Sequence, residues 1–258
     1  MNETKIKQKE QDKNSEAWKK LCEYIEKTAQ TNADEFSPFE ELGADLFSQI
    51  YSLPESIEKL KNVKKVWLYG SNLQSLPPQI GGMTSLEYFD PYTSYNLHWF
   101  PYEITKCTKL KDSRVSTRAL YGNYKNRLPF PDLTNNPFKY NSEIIKCSVC
   151  EKEINHEQTN QKWITLRIGT DDLPLLVNLC SIDCEHNLPH PAKGYVEKPH
   201  KGGLNLVQPT YKDWENANGK SMTFAEWKEK DEKDKKNKES IEKEPVKLLK
   251  LIKKIWQR

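Results

Sequence analysis

The feature that most constrains the fold is a short phrase that recurs in the first half of the chain. A Leu-Pro or Phe-Pro step followed by isoleucine begins at Leu53, Leu76 and Phe100, at intervals of 23 and 24 residues, and Leu128-Pro129 is a degenerate fourth copy after 28. A unit of this length cannot bury its apolar side alone, so successive copies must stack on one another.

The apolar residues ahead of and inside each copy should point inward. The residues expected to be buried are Val63, Val66, Leu68, Leu73, Leu76 and Ile80. Two positions break the pattern, since Pro91 and Ser113 stand where inward apolar residues are expected. The stack should therefore be short and irregular.

Residues 46–133 resemble the leucine-rich repeat, in which Leu-x-x-Leu-x-Leu precedes an Asn-x-Leu step and a Leu-Pro turn. Together with the phrases at 100–105, 116–124 and 175–180, this is similar to bacterial leucine-rich-repeat proteins with an appended cysteine module. The resemblance implies an α/β fold: a short irregular leucine-rich-repeat solenoid with N-terminal capping helices, a zinc-bound β-hairpin module and a C-terminal helix. It implies no activity.

Five segments follow from this pattern. Residues 1–14 are charged and lack an apolar period, which predicts disorder. Residues 15–50 are expected to form two capping helices, because Trp18, Leu21 and Ile25 recur at helical spacing and Ser37-Pro38 is a helix-start signal completed by a capping box. The repeats should occupy residues 51–135, a zinc module with a wrapping loop 140–212, and a charged linker with a basic amphipathic helix 213–258.

Four cysteines form the strongest chemical signal. Cys147 and Cys150 are a C-x2-C pair, and Cys180 and Cys184 are one helical turn apart. Four thiolates complete the tetrahedral shell of Zn²⁺, which predicts a structural zinc ion. Two strand-like runs between the pairs make the region similar to a treble-clef zinc finger. The alternatives are reduced cysteines without metal and a redox pair at Cys147-Cys150.

The predicted partner surface is the exposed face of the repeat strands. It comprises Lys65, Trp67, Tyr69, Tyr88, Asp90, Tyr92 and Arg114. Exposed aromatics beside arginine are typical of protein-binding hot spots, so we expect a protein or peptide ligand there. The alternative is that Trp67 or Tyr88 packs against a capping helix.

No phosphate-binding glycine loop or nucleophile elbow is present in the sequence, so we expect a non-enzymatic scaffold without a small-molecule substrate. Nucleic-acid binding is the second hypothesis. The net charge of +3 is small, but aromatics alternate with lysine and arginine over 92–127. An enzyme with a site that sequence does not reveal is the third hypothesis.

The lysine-rich C-terminus could dock on a partner, adsorb to a membrane surface or pack on the protein itself. Residues 1–16 lack the apolar core of a signal peptide and no run is long enough to span a bilayer, which favours a cytoplasmic location.

Overall fold

A computed structural model describes residue 6 and residues 8–134, 136–140, 142 and 144–219. The chain divides into two units, Met1–Ala217 and Asn218–Arg258. The first unit is a mixed α/β structure, and almost all of the second lies outside the described residues. The predicted charged linker beyond residue 219 and the basic amphipathic helix also fall outside them. Within the described part of the chain, no helix is both long and apolar enough to cross a lipid bilayer.

Helices occupy a minority of the first unit. The α-helices are α1 (Glu16–Gln30), α2 (Pro38–Phe47), α3 (Ile182–His186) and α4 (Tyr211–Asn218). The strands are β1 (Glu35–Phe36), β2 (Lys65–Trp67), β3 (Tyr88–Asp90), β4 (Phe100–Pro101), β5 (Asp112–Ser113), β6 (Ile144–Lys146), β7 (Glu153–Asn155), β8 (Asn160–Ile168) and β9 (Asp171–Leu179). Helix α4 was not anticipated, because it straddles the predicted wrapping loop and charged linker.

The two N-terminal helices begin differently. The Ser15 hydroxyl accepts a hydrogen bond from the Trp18 amide at the start of α1, and Leu21 and Ile25 are fully buried along one side. Helix α2 begins at Pro38, but the predicted capping box is wrong because the Ser37 side chain makes no cap bond. Instead the Ser37 amide donates to the Tyr24 hydroxyl, 3.1 Å away. This contact ties the start of α2 to α1.

Among residues 8–14, which belong to the segment predicted to be disordered, only Gln11 is buried and the other six are exposed. Gln11 is only 8% exposed. Its side-chain NH2 group donates to the backbone carbonyl of Gln49 at 3.3 Å. Its side-chain oxygen accepts from the backbone N–H of Tyr51 at 2.7 Å. The charged residues around Gln11 remain in solvent while one polar side chain satisfies the backbone at the end of the helical region.

A parallel sheet has the strand order β1-β2-β3-β5, in which β2, β3 and β5 come from the repeated region and β1 lies between α1 and α2. Val66 pairs with Phe89 and Phe89 pairs with Ser113, so each copy adds one short strand in the same register. All six residues predicted to point inward are buried, with at most 1% exposed. That prediction is confirmed.

Three 3-10 helices follow the proline steps. They span Glu55–Lys59, Pro78–Gly82 and Tyr102–Lys106. Consecutive turns approach so closely that a Cβ atom on Gly81 would lie 2.6 Å from the Glu103 carbonyl oxygen. Glycine is therefore required at this position by contact between neighbouring copies.

A long antiparallel hairpin of β8 and β9 closes one end of this region. Strand β9 pairs in parallel with β4, with Phe100 opposite Leu175. The turn of the hairpin reaches β5, where the Ser113 hydroxyl bonds to the Ile168 carbonyl and the Asp171 carboxylate at 3.2 and 2.8 Å. Ser113 interrupts the apolar pattern because it is the polar contact point for this turn.

A second hydrophobic cluster joins the β8–β9 hairpin to the chain that precedes it. It contains Trp99, Tyr121, Phe130, Leu133, Phe138, Trp163 and Leu176. Trp163 is fully buried at its centre, and its indole N–H donates to the Pro131 carbonyl at 2.9 Å. This cluster fixes the hairpin, and hence the start of α3, against the preceding chain.

Candidate metal centre and the exposed sheet face

Two separate parts of the chain bring the four predicted cysteine ligands together. Cys147 follows β6 directly and Cys150 lies in the turn that leads to β7, which pairs antiparallel with β6. Cys180 follows β9, and Cys184 lies in α3. The β6–β7 pair therefore places the Cys147 and Cys150 thiols near the end of the long hairpin. Cys180 and Cys184 lie there, at the start of α3.

The turn after Cys147 is tightly hydrogen-bonded. The Glu151 amide donates to the Cys147 carbonyl at 3.0 Å, and the Cys147 amide donates to the Lys152 carbonyl at 2.8 Å. Glu151 adopts a φ of +62°, a left-handed conformation that glycine favours. The backbone accepts this strain at the residue that follows the second cysteine.

The second pair is placed by a helix cap. The Ser181 hydroxyl accepts a hydrogen bond from the Cys184 amide at 3.2 Å, which starts α3 and turns Cys184 toward Cys180. Ser181, between the two cysteines, therefore acts as the N-cap of α3.

All four sulfur atoms lie within 4.8 Å of one another. The Cys150–Cys180 and Cys180–Cys184 sulfur separations are 3.5 and 3.6 Å. Four thiolates at about 2.3 Å from a tetrahedral metal would be about 3.8 Å apart, close to these values. The arrangement could coordinate a metal ion, and the predicted convergence of the two cysteine pairs is confirmed.

Among the described residues no histidine or carboxylate joins this group. The His156 ring nitrogen instead lies 2.8 Å from the Ser142 carbonyl oxygen. Cys107 is buried separately, with its thiol 3.4 Å from the Ile80 carbonyl oxygen, and burial raises its pKa to about 12. Cys22 lies on α1, outside the cluster.

The local environment gives the thiols of Cys147 and Cys184 very different pKa values. Burial raises the pKa of Cys147, but backbone N–H groups of Cys150, Val149 and Cys180 outweigh burial and bring it to about 7. At Cys184 the Ser181 hydroxyl lowers the pKa, whereas burial and hydrogen bonds with the other thiols raise it to about 12. Four adjacent thiols cannot all ionise without a cation, so metal binding here must release protons.

A buried polar network connects the Cys147–Cys150 turn to the repeated segment. The Ser148 hydroxyl donates to the Glu103 carboxylate at 2.7 Å and accepts from the backbone N–H of Asn178 at 2.9 Å. The Ser148 amide donates to the Asn178 carbonyl at 2.7 Å. Burial raises the pKa of Glu103, and the Ser148 hydrogen bond opposes that rise. Sequence reasoning missed this network, because nothing local links residue 103 to residue 148.

Replacing Ser148 with alanine should destabilise the protein by about 2 kcal/mol, because the buried Glu103 carboxylate loses its donor. Metal stoichiometry should not change, since all four thiols remain. Urea unfolding of the metal-loaded protein measures the first effect and elemental analysis the second. Ser48→Ala, an exposed serine at the end of α2, is the matched control. Loss of metal in Ser148→Ala would contradict the assigned role.

The residues of the predicted partner face lie on the adjacent parallel strands β2 and β3 or just after β2, β3 and β5. Trp67 and Tyr88 rings are 4.9 Å apart, and Tyr69 and Tyr92 rings are 6.0 Å apart. Trp67 donates to the Glu35 carboxylate at 2.9 Å, and Lys65 forms an ion pair with the same group at 2.7 Å. We call this set the sheet face: Lys65, Trp67, Tyr69, Tyr88, Tyr92 and Arg114.

Asp90 does not belong to the exposed set, which corrects the sequence-based expectation. Its side chain is 3% exposed. It accepts hydrogen bonds from the Tyr88 hydroxyl and the Tyr92 amide, at 3.1 and 2.9 Å, and lies 3.7 Å from the Arg114 guanidinium. Asp90 is therefore a buried acceptor that holds Tyr88, Tyr92 and Arg114 in position.

No protein-family model matches this chain, and no curated protein is significantly similar to it in sequence.

Proposed function

We propose that this chain is a non-enzymatic binding scaffold, in which a structural zinc ion stabilises one end and the sheet face binds a protein or peptide. In this proposal residues 51–135 are a short, irregular leucine-rich-repeat unit. The 23- and 24-residue spacing, the parallel register of β2, β3 and β5 and the buried repeat positions support that assignment.

Zinc is the proposed metal because four thiolates form a soft, tetrahedral ligand set. A shell of four protein ligands leaves no position for water or substrate, so the expected role is structural. The order of the elements supports a treble-clef type of module. A hairpin with the first cysteine pair is followed by the β8–β9 hairpin and then by α3, which carries the last ligand.

The observation that carries the binding function is the exposure of large aromatics where the parallel strands end. Tyr69 and Tyr92 are 53% and 37% exposed, in the turns that follow β2 and β3. The Arg114 guanidinium lies 4.4 Å from the centre of the Tyr92 ring. Held in this way, tyrosine and arginine offer contact area with little loss of side-chain entropy on binding.

The charges on and beside the sheet face favour a protein ligand over nucleic acid. Lys64, Lys65, Lys111 and Arg114 each form an ion pair, with Asp34, Glu35, Glu87 and Asp90 respectively. Phosphate contacts require cations that can exchange their counterions for the nucleic acid. Since these cations already have carboxylate partners, aromatic and polar contacts are the better-supported mode of recognition.

The double substitution Tyr69→Ala and Tyr92→Ala should weaken partner binding at least about tenfold, since hot-spot aromatics each contribute more than about 1 kcal/mol. Affinity purification from the native cell, followed by titration of the recovered partner, measures this. Phe39→Ala, which removes an aromatic that is 50% exposed on α2, is the control and should leave binding unchanged.

Two outcomes would contradict the proposal. One is an identical set of partners and affinities for the wild type and the double variant. The other is recovery of nucleic acid whose binding falls steeply with added salt, which would favour the second hypothesis instead.

A further inference from the structure

The four cysteine ligands of the proposed metal centre are not equally accessible to solvent. Cys147 and Cys184 are buried, with 0% and 7% of their surface exposed, whereas Cys150 is exposed and Cys180 is partly exposed. The two accessible cysteines are also close together, since their sulfur atoms are 3.5 Å apart. A reagent in solvent therefore reaches Cys150 first and finds Cys180 beside it.

Two hydrogen bonds hold these two cysteines side by side without help from the metal. Ser148 and Asn178 lie two residues before Cys150 and Cys180 respectively. The backbone N–H of Ser148 donates to the carbonyl of Asn178 at 2.7 Å, and the backbone N–H of Asn178 donates to the Ser148 hydroxyl at 2.9 Å. Because Ser148 and Asn178 are both buried, Cys150 and Cys180 remain neighbours when the ion leaves.

The proposed metal makes the sulfur atoms reactive, and the fold decides which of them reacts. A thiol that coordinates zinc is present as a thiolate, the form that attacks peroxides. Reactivity then depends on access, which favours Cys150 over Cys147 and Cys184. A sulfenic acid formed on Cys150 has a second sulfur within reach, and such an arrangement leads to a disulfide.

We propose that Cys150 is an oxidation site for hydroperoxides and that Cys180 is its resolving thiol, so that a disulfide bond between them replaces the metal ion. This inference rests on the zinc centre proposed above and adds a second, oxidised state to it. Cys147 and Cys184 remain as thiols. Two ligands do not complete a tetrahedral shell, so the ion is released to solvent.

The reaction balances with hydrogen peroxide as the oxidant. The Cys150 thiolate attacks one peroxide oxygen, the O–O bond breaks, and the departing hydroxide takes a proton from solvent to become water. The Cys180 thiolate then attacks the sulfur of the resulting sulfenic acid, the S–O bond breaks, and a second hydroxide leaves and is protonated to water. The two sulfur atoms give up two electrons, and these electrons reduce the peroxide.

The oxidised chain keeps the connection that the metal made. The disulfide joins the turn after β6 to the end of β9, and the same two regions supply the four metal ligands. A cross-link of this kind limits the conformations of the unfolded chain. The oxidised, metal-free protein should therefore unfold at a higher urea concentration than the reduced, metal-free protein.

Oxidation of the zinc-loaded full-length protein with hydrogen peroxide tests the proposal. Zinc content is measured first by elemental analysis, and zinc release is then followed with a chromogenic chelator. The disulfide is identified in denaturant: free thiols are blocked with N-ethylmaleimide, and after reduction the remaining cysteines are labelled with iodoacetamide. We expect one zinc ion released per disulfide formed, with the second label on Cys150 and Cys180 alone. Dithiothreitol and added zinc should restore the starting state.

The double variant Cys22→Ser and Cys107→Ser is the matched control, because it removes the two cysteines that lie outside the thiol cluster. It should release zinc at the same rate as the wild type and form the same disulfide. Zinc release that slows or disappears in this variant would show that oxidation begins outside the cluster, and it would overturn the proposal.

Three results in the wild type would also overturn it. The first is a disulfide between any other pair of cysteines, such as Cys147 and Cys150. The second is retention of zinc in excess peroxide, and the third is oxidation of Cys150 without a disulfide. All three leave the zinc centre itself intact. Absence of zinc before peroxide is added would instead contradict the zinc centre, and the exchange with it.

Discussion

The variant Cys184→Ser is expected to lose stoichiometric metal and to unfold at least about 3 kcal/mol more easily than the wild type. Structural zinc contributes roughly 10–16 kcal/mol to the folding of small zinc-binding peptides, and a three-cysteine site retains only part of that. Cys184 is also buried in the main hydrophobic cluster, and its polar contacts are with the Cys180 thiol and, through its amide, with the Ser181 cap. The destabilisation should disappear when wild type and variant are compared in a strong chelator.

Cys22→Ser is the matched control for this prediction. Cys22 lies on α1, outside the thiol cluster, so its substitution should leave metal content unchanged and stability nearly so. Elemental analysis and urea unfolding, each with and without chelator, are the measurements. A wild-type protein whose unfolding midpoint is insensitive to chelation would show that no metal stabilises the fold.

The variant Trp163→Ala should lower the free energy of unfolding by about 3–5 kcal/mol, the usual effect of removing a large buried aromatic. Trp163 is fully buried and its ring lies within 5.8 Å of the rings of Trp99, Tyr121 and Phe130. Removal of the indole also leaves the Pro131 carbonyl without its N–H donor. Both effects act on the contact between the long hairpin and the preceding chain.

Two comparisons separate these contributions. Trp163→Phe keeps much of the apolar volume and loses the hydrogen bond, so it should be less destabilising than alanine. Trp67→Ala removes a partly buried tryptophan from the sheet face and should change stability by less than about 1.5 kcal/mol. A Trp163→Ala variant as stable as Trp67→Ala would contradict the assigned role of the aromatic cluster.

The sequence was informative wherever a periodic pattern or a ligand spacing determines structure. The 23- and 24-residue intervals predicted which side chains point inward, because stacked copies must share one apolar interior, and residues such as Val66 and Ile80 are buried accordingly. Cysteine spacing predicted the thiol cluster because each pair is fixed locally, one by a turn and one by a helix start.

Contacts between segments that are far apart in the chain could not be predicted from the sequence pattern. The pairing of β4 with β9 and the bond from Ser148 to Glu103 depend on how the hairpin docks, which no local period encodes. Asp90 was expected at the surface because its position alternates with exposed aromatics, but its hydrogen bonds compensate for burial. The contacts of Gln11 with the backbone of Gln49 and Tyr51 were not anticipated either, since composition alone cannot show that a polar side chain replaces backbone partners.

The most direct test of the zinc proposal is X-ray absorption spectroscopy at the zinc edge of protein purified without added metal, combined with elemental analysis. We predict one zinc ion per chain, bound by four sulfur atoms at about 2.3 Å. Absence of stoichiometric metal would contradict the proposal, as would a first coordination shell that contains nitrogen or oxygen in place of any of the four cysteine sulfurs.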